Sequence, residues 1–377
     1  MQILSYHNVE VPSTSAHSLY TVRTSADLSL RVPVTLMASK GRTSHSFSSL
    51  YEFTPEDLPR LRIALPPLRH KGFSGLWRRA LALRWLRSRK SLQPVVYISQ
   101  AKTLRYFARL KSPRRRSFCL ILECHAADEP WGDELHAVDG LLFTSASLRE
   151  TLVQRFPFLS EKPGLVAPHR VRTMPVIPSQ MQYEKAPGSP FVLGYVGSVL
   201  PWKGLETLAG AMAHLPPSFE IEIIGGADGN PYREELKRKV EEEGFAERVR
   251  FIPFVPPGSL KPMVSRMDAF VLPLPAEDAG SAPMKLLDYL MLARPVIASD
   301  LGSIREVLEH GKSALLFAPG SAEALAEQAM LLARASAFER SAMVAAGIEA
   351  LKRFSVDSWL DRVLNWLNEV CPPLREN

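Results

Sequence analysis

The chain has 377 residues, 46% of them apolar and 23% charged, with a net charge of +7. That length exceeds most single cores and suits two domains, while the absence of any run of eighteen apolar residues excludes a membrane-spanning helix. Three cysteines (Cys119, Cys124, Cys371) with no C-x-x-C pair argue against a disulfide framework or a zinc site and for a reducing compartment. The opening "MQILSYHNVE" has neither a basic n-region nor a long h-region, so no signal peptide is expected. Charge is divided unevenly. Residues 1–185 hold 27 Lys+Arg and 14 Asp+Glu, a balance of +13 that leaves −6 for the remainder. Residues 60–116 carry 17 basic residues and no acidic one, a one-sided field that attracts an anionic partner.

In chain order, a first short strand precedes "HNVEVPSTSAHSLYTVR", where His7, Ser13, Ser15 and His17 supply polar groups. Strands are then predicted at "PVTLMAS" (33–39), "PVVYIS" (94–99), "FCLILE" (118–123), "GLLFTS" (140–145) and "GLVAP" (164–168). Between the first two lies "GFSGLWRRALALRWLRSRK" (72–90). As a helix it puts Phe73, Leu76, Trp77, Ala80 and Leu81 on one face, with Arg84 and Arg87 intruding at its far end. Two readings stay open there. It packs on the sheet ahead of "PVVYIS", or it lies on an anionic membrane surface with Trp77 and Trp85 at the interface. A second basic cluster follows at "RLKSPRRRS" (109–117).

A proline-rich linker (172–190) leads to a more regular half. Strands at 191–197, 219–225, 248–252, 268–274, 295–299 and 314–319 alternate with helices near 203–214, 231–244, 258–267, 283–293, 301–310 and 321–335. Such alternation means βαβ units and a parallel sheet. The whole reads as α/β: two Rossmann-like doubly wound domains, 1–180 and 181–355. A C-terminal amphipathic segment, 356–377, packs back toward the first of them.

In open α/β sheets, ligands sit at the carboxyl ends of strands and near helix N-termini. After "FVLGYVG", Gly197 allows a close turn and Lys203 brings a point charge, either as a phosphate ligand or as an exposed lysine on a first helical turn. After "DAFVLPL" comes "GSAPMKLLDYLMLARPVIASD". Ser281 suits an N-cap, Pro283 the first helical position, and Lys285 falls in the first turn. Asp288 lies one turn beyond Met284, as a ligand for both hydroxyls of a ribose or as a surface acid. "EIIGGADGNPYREEL" (222–236), with Gly225, is a third strand–turn–helix in position to wall a nucleotide site.

These residues resemble the family-four (group 1) retaining glycosyltransferases of the GT-B fold, two Rossmann-like domains flanking a cleft. The resemblance covers about residues 190–370 and rests on "GYVGSVLPWKGLETLAGA", "FEIEIIGGADG", "RVRFIPFVPPGSL" and "SAPMKLLDYLMLARPVIASDLGSIREVLEHGKSALLFAPG", in that order. It implies that Lys203 binds the donor diphosphate, that Ser281 and Met284 offer N–H groups to the phosphates, and that Asp288 holds the ribose. Gly197, Ser198 and Gly225 would line the nucleotide. "LILECH" resembles the strand ending in a histidine beside the donor sugar, which points to His125. Three positions depart from the family pattern. The first of its two glutamates falls on Gly280 and the second is Asp288; its usual arginine is Ser198; and Ala293 and Arg294 precede the proline strand. "SAPMK" is similar to a Ser-Pro-x-Lys subgroup with one inserted alanine.

The resemblance implies a metal-independent, hexosyltransferase-like enzyme with no cofactor. Its donor is a nucleotide-diphosphate sugar, UDP- or GDP-linked, and its acceptor a glycan or lipid-linked molecule of cell-envelope polysaccharide or glycolipid synthesis. The expected setting is cytoplasmic, with residues 72–90 on the inner membrane face. No D-x-D metal motif and no nucleic-acid motif occurs. A non-catalytic GT-B scaffold at a membrane, motivated by Gly280 and Ser198, and a GT-B epimerase are the alternatives.

Overall fold

The computed structural model describes all residues except 44, 52, 68–70, 90–93, 112–117, 172–187, 228, 257–258, 277–283 and 373–377. The chain divides into two units, Met1–Pro168 with Val356–Asn377, and His169–Ser355. The expected boundary at 180 and most of the expected linker lie outside the described residues.

The first unit holds seven strands: β1 (Ile3–Val11), β2 (Val34–Lys40), β3 (Leu61–Ala64), β4 (Val95–Ile98), β5 (Cys119–Cys124), β6 (Gly140–Phe143) and β7 (Gly164–Val166). They form one parallel sheet in the order β3-β2-β1-β4-β5-β6-β7. The second unit holds β8 (Phe191–Val196), β9 (Phe219–Ile224), β10 (Val249–Ile252), β11 (Ala269–Leu272), β12 (Val296–Ser299) and β13 (Leu315–Phe317), parallel in the order β10-β9-β8-β11-β12-β13. Both orders are those of doubly wound sheets. Each has one switch point, between β1 and β4 and between β8 and β11, and ligands bind at the carboxyl ends of strands there.

Burial explains why the strands form. In the second sheet Leu193, Tyr195, Ile221, Ile223, Ala269 and Val271 fill one core, while Val192, Ile224, Phe270, Leu272 and Val296 fill another. Neighbours along a strand point to opposite faces, so a strand covered on both sides is apolar throughout. Edge strand β3 lies at one end of the first sheet, and its Arg62 is exposed. It carries no such run and was not among the predicted strands.

The segment expected at 72–90 is a helix, Lys71–Arg87, but with a different inner face. Ser74, Arg78, Ala82, Trp85 and Leu86 are buried, whereas Leu76 is 69% exposed and Ala80 is exposed too. Trp85 joins the first unit's core and donates from Nε1 to Thr35 Oγ1 at 3.1 Å, so it is not available to a membrane. The sheet-packing reading holds for this face, and Arg79, Arg84 and Arg87 remain exposed.

The last helix, Val356–Val370, belongs to the first unit. Trp359, Leu360, Val363, Trp366 and Leu367 are buried, and a Cβ on Gly140 would fall 2.8 Å from the Trp366 ring. Arg362 Nη2 donates to the Val166 carbonyl at 2.6 Å, and Arg31 pairs with Asp357 at 3.1 Å. Packing of this helix brings Cys371 to the start of β5, where it forms a disulfide with Cys119, Cα to Cα 5.8 Å. This corrects the reading of the cysteines. A separation of 252 residues leaves no local spacing by which a pair could be recognised.

A consequence is measurable. Denatured without reductant, the protein should titrate one thiol, the buried Cys124, and three after reduction. Cys371→Ser should cost about 2–4 kcal/mol, lowering Tm by several degrees under oxidising conditions and not under reducing ones. Three thiols in the unreduced chain would show that the bond is absent.

Candidate functional site

In the second unit the carboxyl ends of β8, β9 and β11 close on one another because glycines stand at each approach. Gly197 N–H donates to the Ile224 carbonyl at 2.8 Å, and Gly225 N–H to the Ile252 carbonyl at 2.9 Å. Gly225 has φ 144°, and a Cβ there would fall 1.7 Å from the Gly197 carbonyl oxygen. Gly204, at φ 67°, approaches the Pro273 carbonyl equally closely. Only glycine fits such positions. The buried Tyr289 hydroxyl accepts from Val196 N–H at 3.0 Å and fixes the end of β8 to the helix Met284–Met291.

Lys285 extends from that helix over Gly197. A Cβ at Gly197 would meet its Cε at 2.1 Å and its Nζ at 2.2 Å, and Nζ lies 6.0 Å from the Tyr195 ring centre. The side chain is half-buried. Burial pushes its pKa below the ordinary lysine value, the Asp288 carboxylate counters this, and the Lys203 ammonium adds to the lowering. Two ammonium groups are thus held within electrostatic reach of each other at the switch point. Like charges kept together in partial burial raise a local positive potential that an anion relieves.

Lys203 sits on the single 3₁₀ turn Pro201–Lys203, and the helix Leu205–Gly210 starts only after Gly204. It does not open that helix, as the sequence suggested. Asp288 is exposed on the Lys285 helix. Ser198 is half-buried, and its carbonyl accepts from the Tyr195 hydroxyl at 2.8 Å. Met284 is the first residue of its helix. Ser281 and Gly280 lie outside the described residues.

In the first unit the ends of β1, β4 and β5 bring together groups far apart in sequence. His7 is buried, with Nδ1 2.9 Å from Ser99 Oγ and Nε2 3.0 Å from Ser5 Oγ. His17 Nε2 lies 3.1 Å from the same Ser99 Oγ. The His17 ring centre is 6.0 Å from that of His125, whose Nε2 is 3.2 Å from Glu123 Oε2. The Tyr20 hydroxyl donates to the other Glu123 oxygen. Burial, then the neighbouring His17, lowers the His7 pKa to about 3; burial, then His125, lowers that of His17 to about 4. Both are neutral at pH 7. The buried Arg78 guanidinium donates to the His7 carbonyl at 2.6 Å and to Asn8 Oδ1 at 2.8 Å. Ser15 caps the helix Ala16–Ser29 that carries His17, and Ser13 Oγ donates to Ser15 Oγ at 3.3 Å. Ser99, Glu123 and Tyr20 had not been singled out from the sequence.

Two parallel doubly wound sheets of this order define a GT-B protein. Sucrose-phosphate synthase from Thermosynechococcus elongatus superposes over 98% of this chain and 99% of its own with a TM-score of 0.75 and 17% identity. The Anabaena protein HepE, in complex with UDP and glucose, does so over 98% and 100% with a TM-score of 0.73 and 17% identity. Within this fold, residues 190–334 match the family described as glycosyl transferases group 1, so the resemblance read from the second-half motifs is shown over that stretch. A D-inositol 3-phosphate glycosyltransferase of Jonesia denitrificans is 31% identical over 132 residues, 33% of this chain and 30% of that protein. A phosphatidyl-myo-inositol mannosyltransferase of Mycobacterium leprae is 27% identical over 192 residues, 47% of this chain and 49% of that one. The matched stretch therefore spans less than half the length of these relatives.

Proposed function

We propose that the chain is a retaining glycosyltransferase. It moves a sugar from a UDP- or GDP-sugar to a glycan or lipid-linked acceptor of cell-envelope polysaccharide or glycolipid synthesis. The observation that carries this reading is the pair Lys203 and Lys285 beside the Gly197–Gly225 approach. In the transition state the bond from the anomeric carbon to the diphosphate oxygen breaks, and negative charge grows on the leaving diphosphate. Preorganised cations at that point stabilise the transition state more than the bound donor, which is the condition for catalysis. Asp288 accepts hydrogen bonds from the ribose hydroxyls, and His125, steadied by Glu123, stands beside the transferred sugar. The acceptor oxygen bonds to the anomeric carbon on the face the diphosphate leaves, and its proton passes to a departing phosphate oxygen.

HepE was solved with UDP-glucose as well as with UDP, and the M. leprae relative is named for a phosphatidylinositol acceptor. Both support a nucleotide donor and an envelope acceptor. Calorimetry with UDP, GDP, ADP, dTDP and CMP tests the donor site. Selective binding of one diphosphate fixes the donor class, and binding of none removes the proposal. Anomer-resolved product analysis then tests retention: an inverted linkage contradicts it.

The same reading puts the exposed Arg79, Arg84 and Arg87 of Lys71–Arg87 on an anionic membrane surface. Among the described residues no helix is long and apolar enough to cross a membrane. Co-flotation with vesicles containing anionic lipid, reversed by salt and weakened in the triple Arg→Gln variant, is expected. Equal binding to neutral vesicles would refute the contact.

A further inference from the structure

The polar groups at the end of the first sheet have a direction that can be worked out from one atom. Ser25 Oγ donates to the backbone carbonyl of Thr21 at 2.9 Å, and a carbonyl oxygen only accepts. The single Ser25 hydroxyl proton is therefore committed. Ser5 Oγ, 2.8 Å from Ser25 Oγ, must donate to it. With its own proton used, Ser5 can only accept at its contact with His7 Nε2, so His7 carries its proton on Nε2. Neutral His7 then has a bare Nδ1, which takes the Ser99 hydroxyl proton. Ser99 in turn can only accept from His17 Nε2. The tautomer of a histidine is set by the bond its other nitrogen makes. His17 is therefore held as the Nε2–H form, its Nδ1 an unprotonated acceptor.

Among the described residues no group donates to that Nδ1, and the His17 side chain is half-buried rather than sealed. The geometry points to His17 as a ligand for a non-reacting hydroxyl of the acceptor in the first unit: its bare Nδ1 accepts that hydroxyl's hydrogen bond, and the chain through Ser99, His7, Ser5 and Ser25 to the Thr21 carbonyl keeps it bare. The neighbouring His125, 6.0 Å away centre to centre, is the residue assigned above to the donor sugar, which places the proposed acceptor ligand next to it in the first unit. Strong depression of both the His7 and the His17 pKa supports the neutral forms that the chain requires. The hydroxyl's identity rests on the glycosyltransferase reading; the tautomer does not.

Long-range proton–nitrogen NMR on histidine-labelled full-length protein reads the tautomers directly. Nε2–H on both His7 and His17 is expected at neutral pH, with the His17 signal moving toward a tautomer mixture in Ser99→Ala and returning in Ser99→Thr. A wild-type His17 protonated on Nδ1 overturns the inference. Substitution separates a ligand role from a merely structural one. Asn puts its oxygen near the Nδ1 position, whereas Gln puts its amide nitrogen near the Nε2 position. If His17 serves the acceptor, His17→Asn keeps more kcat/KM for acceptor than His17→Gln, which falls roughly tenfold or more with KM for donor unchanged. If it only holds Ser99, the order reverses, and that result sinks the proposal. Normal nucleotide affinity in both variants separates this failure from failure of the donor site.

Discussion

Lys285→Ala should weaken nucleoside-diphosphate binding roughly tenfold or more, and the Lys203→Ala, Lys285→Ala double variant should bring it down to that of the bare nucleoside. In the proposed donor site each ammonium would make charge-assisted hydrogen bonds with phosphate oxygens, of about 1.5–3 kcal/mol each, so one deletion is expected to cost about 10- to 150-fold in Kd. Calorimetry with the preferred diphosphate and its nucleoside as control checks this. The nucleoside should bind all variants alike, since no phosphate is there to lose a partner. The pH dependence has a defined sign. In the free protein Lys285 has a lowered pKa, from burial first and the Lys203 charge as well. A bound diphosphate favours the protonated form and raises that pKa. Affinity is therefore full below the free-protein pKa of Lys285 and falls as pH rises through it. Lys285→Ala should flatten that fall. Unchanged Kd in both single variants would place the diphosphate elsewhere and remove the basis for the donor site.

Lys285 also shows how much of the site is legible in the sequence. The "SAPMK" motif placed it in a first helical turn, and strands β8, β11 and β12 of the second half were legible as largely apolar runs, because a strand covered on both faces buries residues of both sets. What the motif did not reveal is that Lys285 crosses to Gly197, 88 residues earlier; only the packing of Met284–Met291 against β8 shows that. The first unit was less legible for the same reason. His7, His17, Ser99, Glu123 and His125 come from segments made neighbours by the strand order β1-β4-β5, a non-local fact. Glu123 stands inside the fully buried strand "CLILEC", where periodicity gives no sign that one position turns a carboxylate toward histidines. The helix Lys71–Arg87 misled in another way. Arg78 was not among the residues of its expected inner face, yet it turns inward, because the carbonyl of His7 and the amide oxygen of Asn8 receive its guanidinium. A buried charge needs such partners, and sequence spacing does not announce them.

Gly197→Ala and Gly225→Ala should separate binding from folding at one spot. Both add a single methyl group within the same strand-end cluster, yet what each methyl meets differs in kind. At Gly225 it would fall 1.7 Å from the Gly197 carbonyl oxygen, in a backbone conformation with φ 144° that side chains rarely adopt. Backbone cannot swing aside as a side chain does, and moving the carbonyl would disturb the Gly197–Ile224 and Gly225–Ile252 hydrogen bonds that align the strand ends. Strain and displacement together should cost at least about 3 kcal/mol, seen as a Tm loss on the order of 10 °C with nucleotide binding abolished. At Gly197 the nearest atoms the methyl meets are all in the Lys285 side chain, Cε, Nζ and Cδ. A lysine terminus changes rotamer cheaply, so the loss of stability should stay under about 1 kcal/mol. The ammonium is nevertheless pushed off its position over the strand end, and diphosphate affinity should drop roughly as far as in Lys285→Ala. Thermal denaturation and calorimetry on the two variants, run side by side, test this. A Gly197→Ala protein that binds diphosphate normally would mean that Lys285 acts from another rotamer, or not at all. Additivity gives the final discrimination: combined with Lys285→Ala, Gly197→Ala should cost no further affinity, because both act on the one ammonium group.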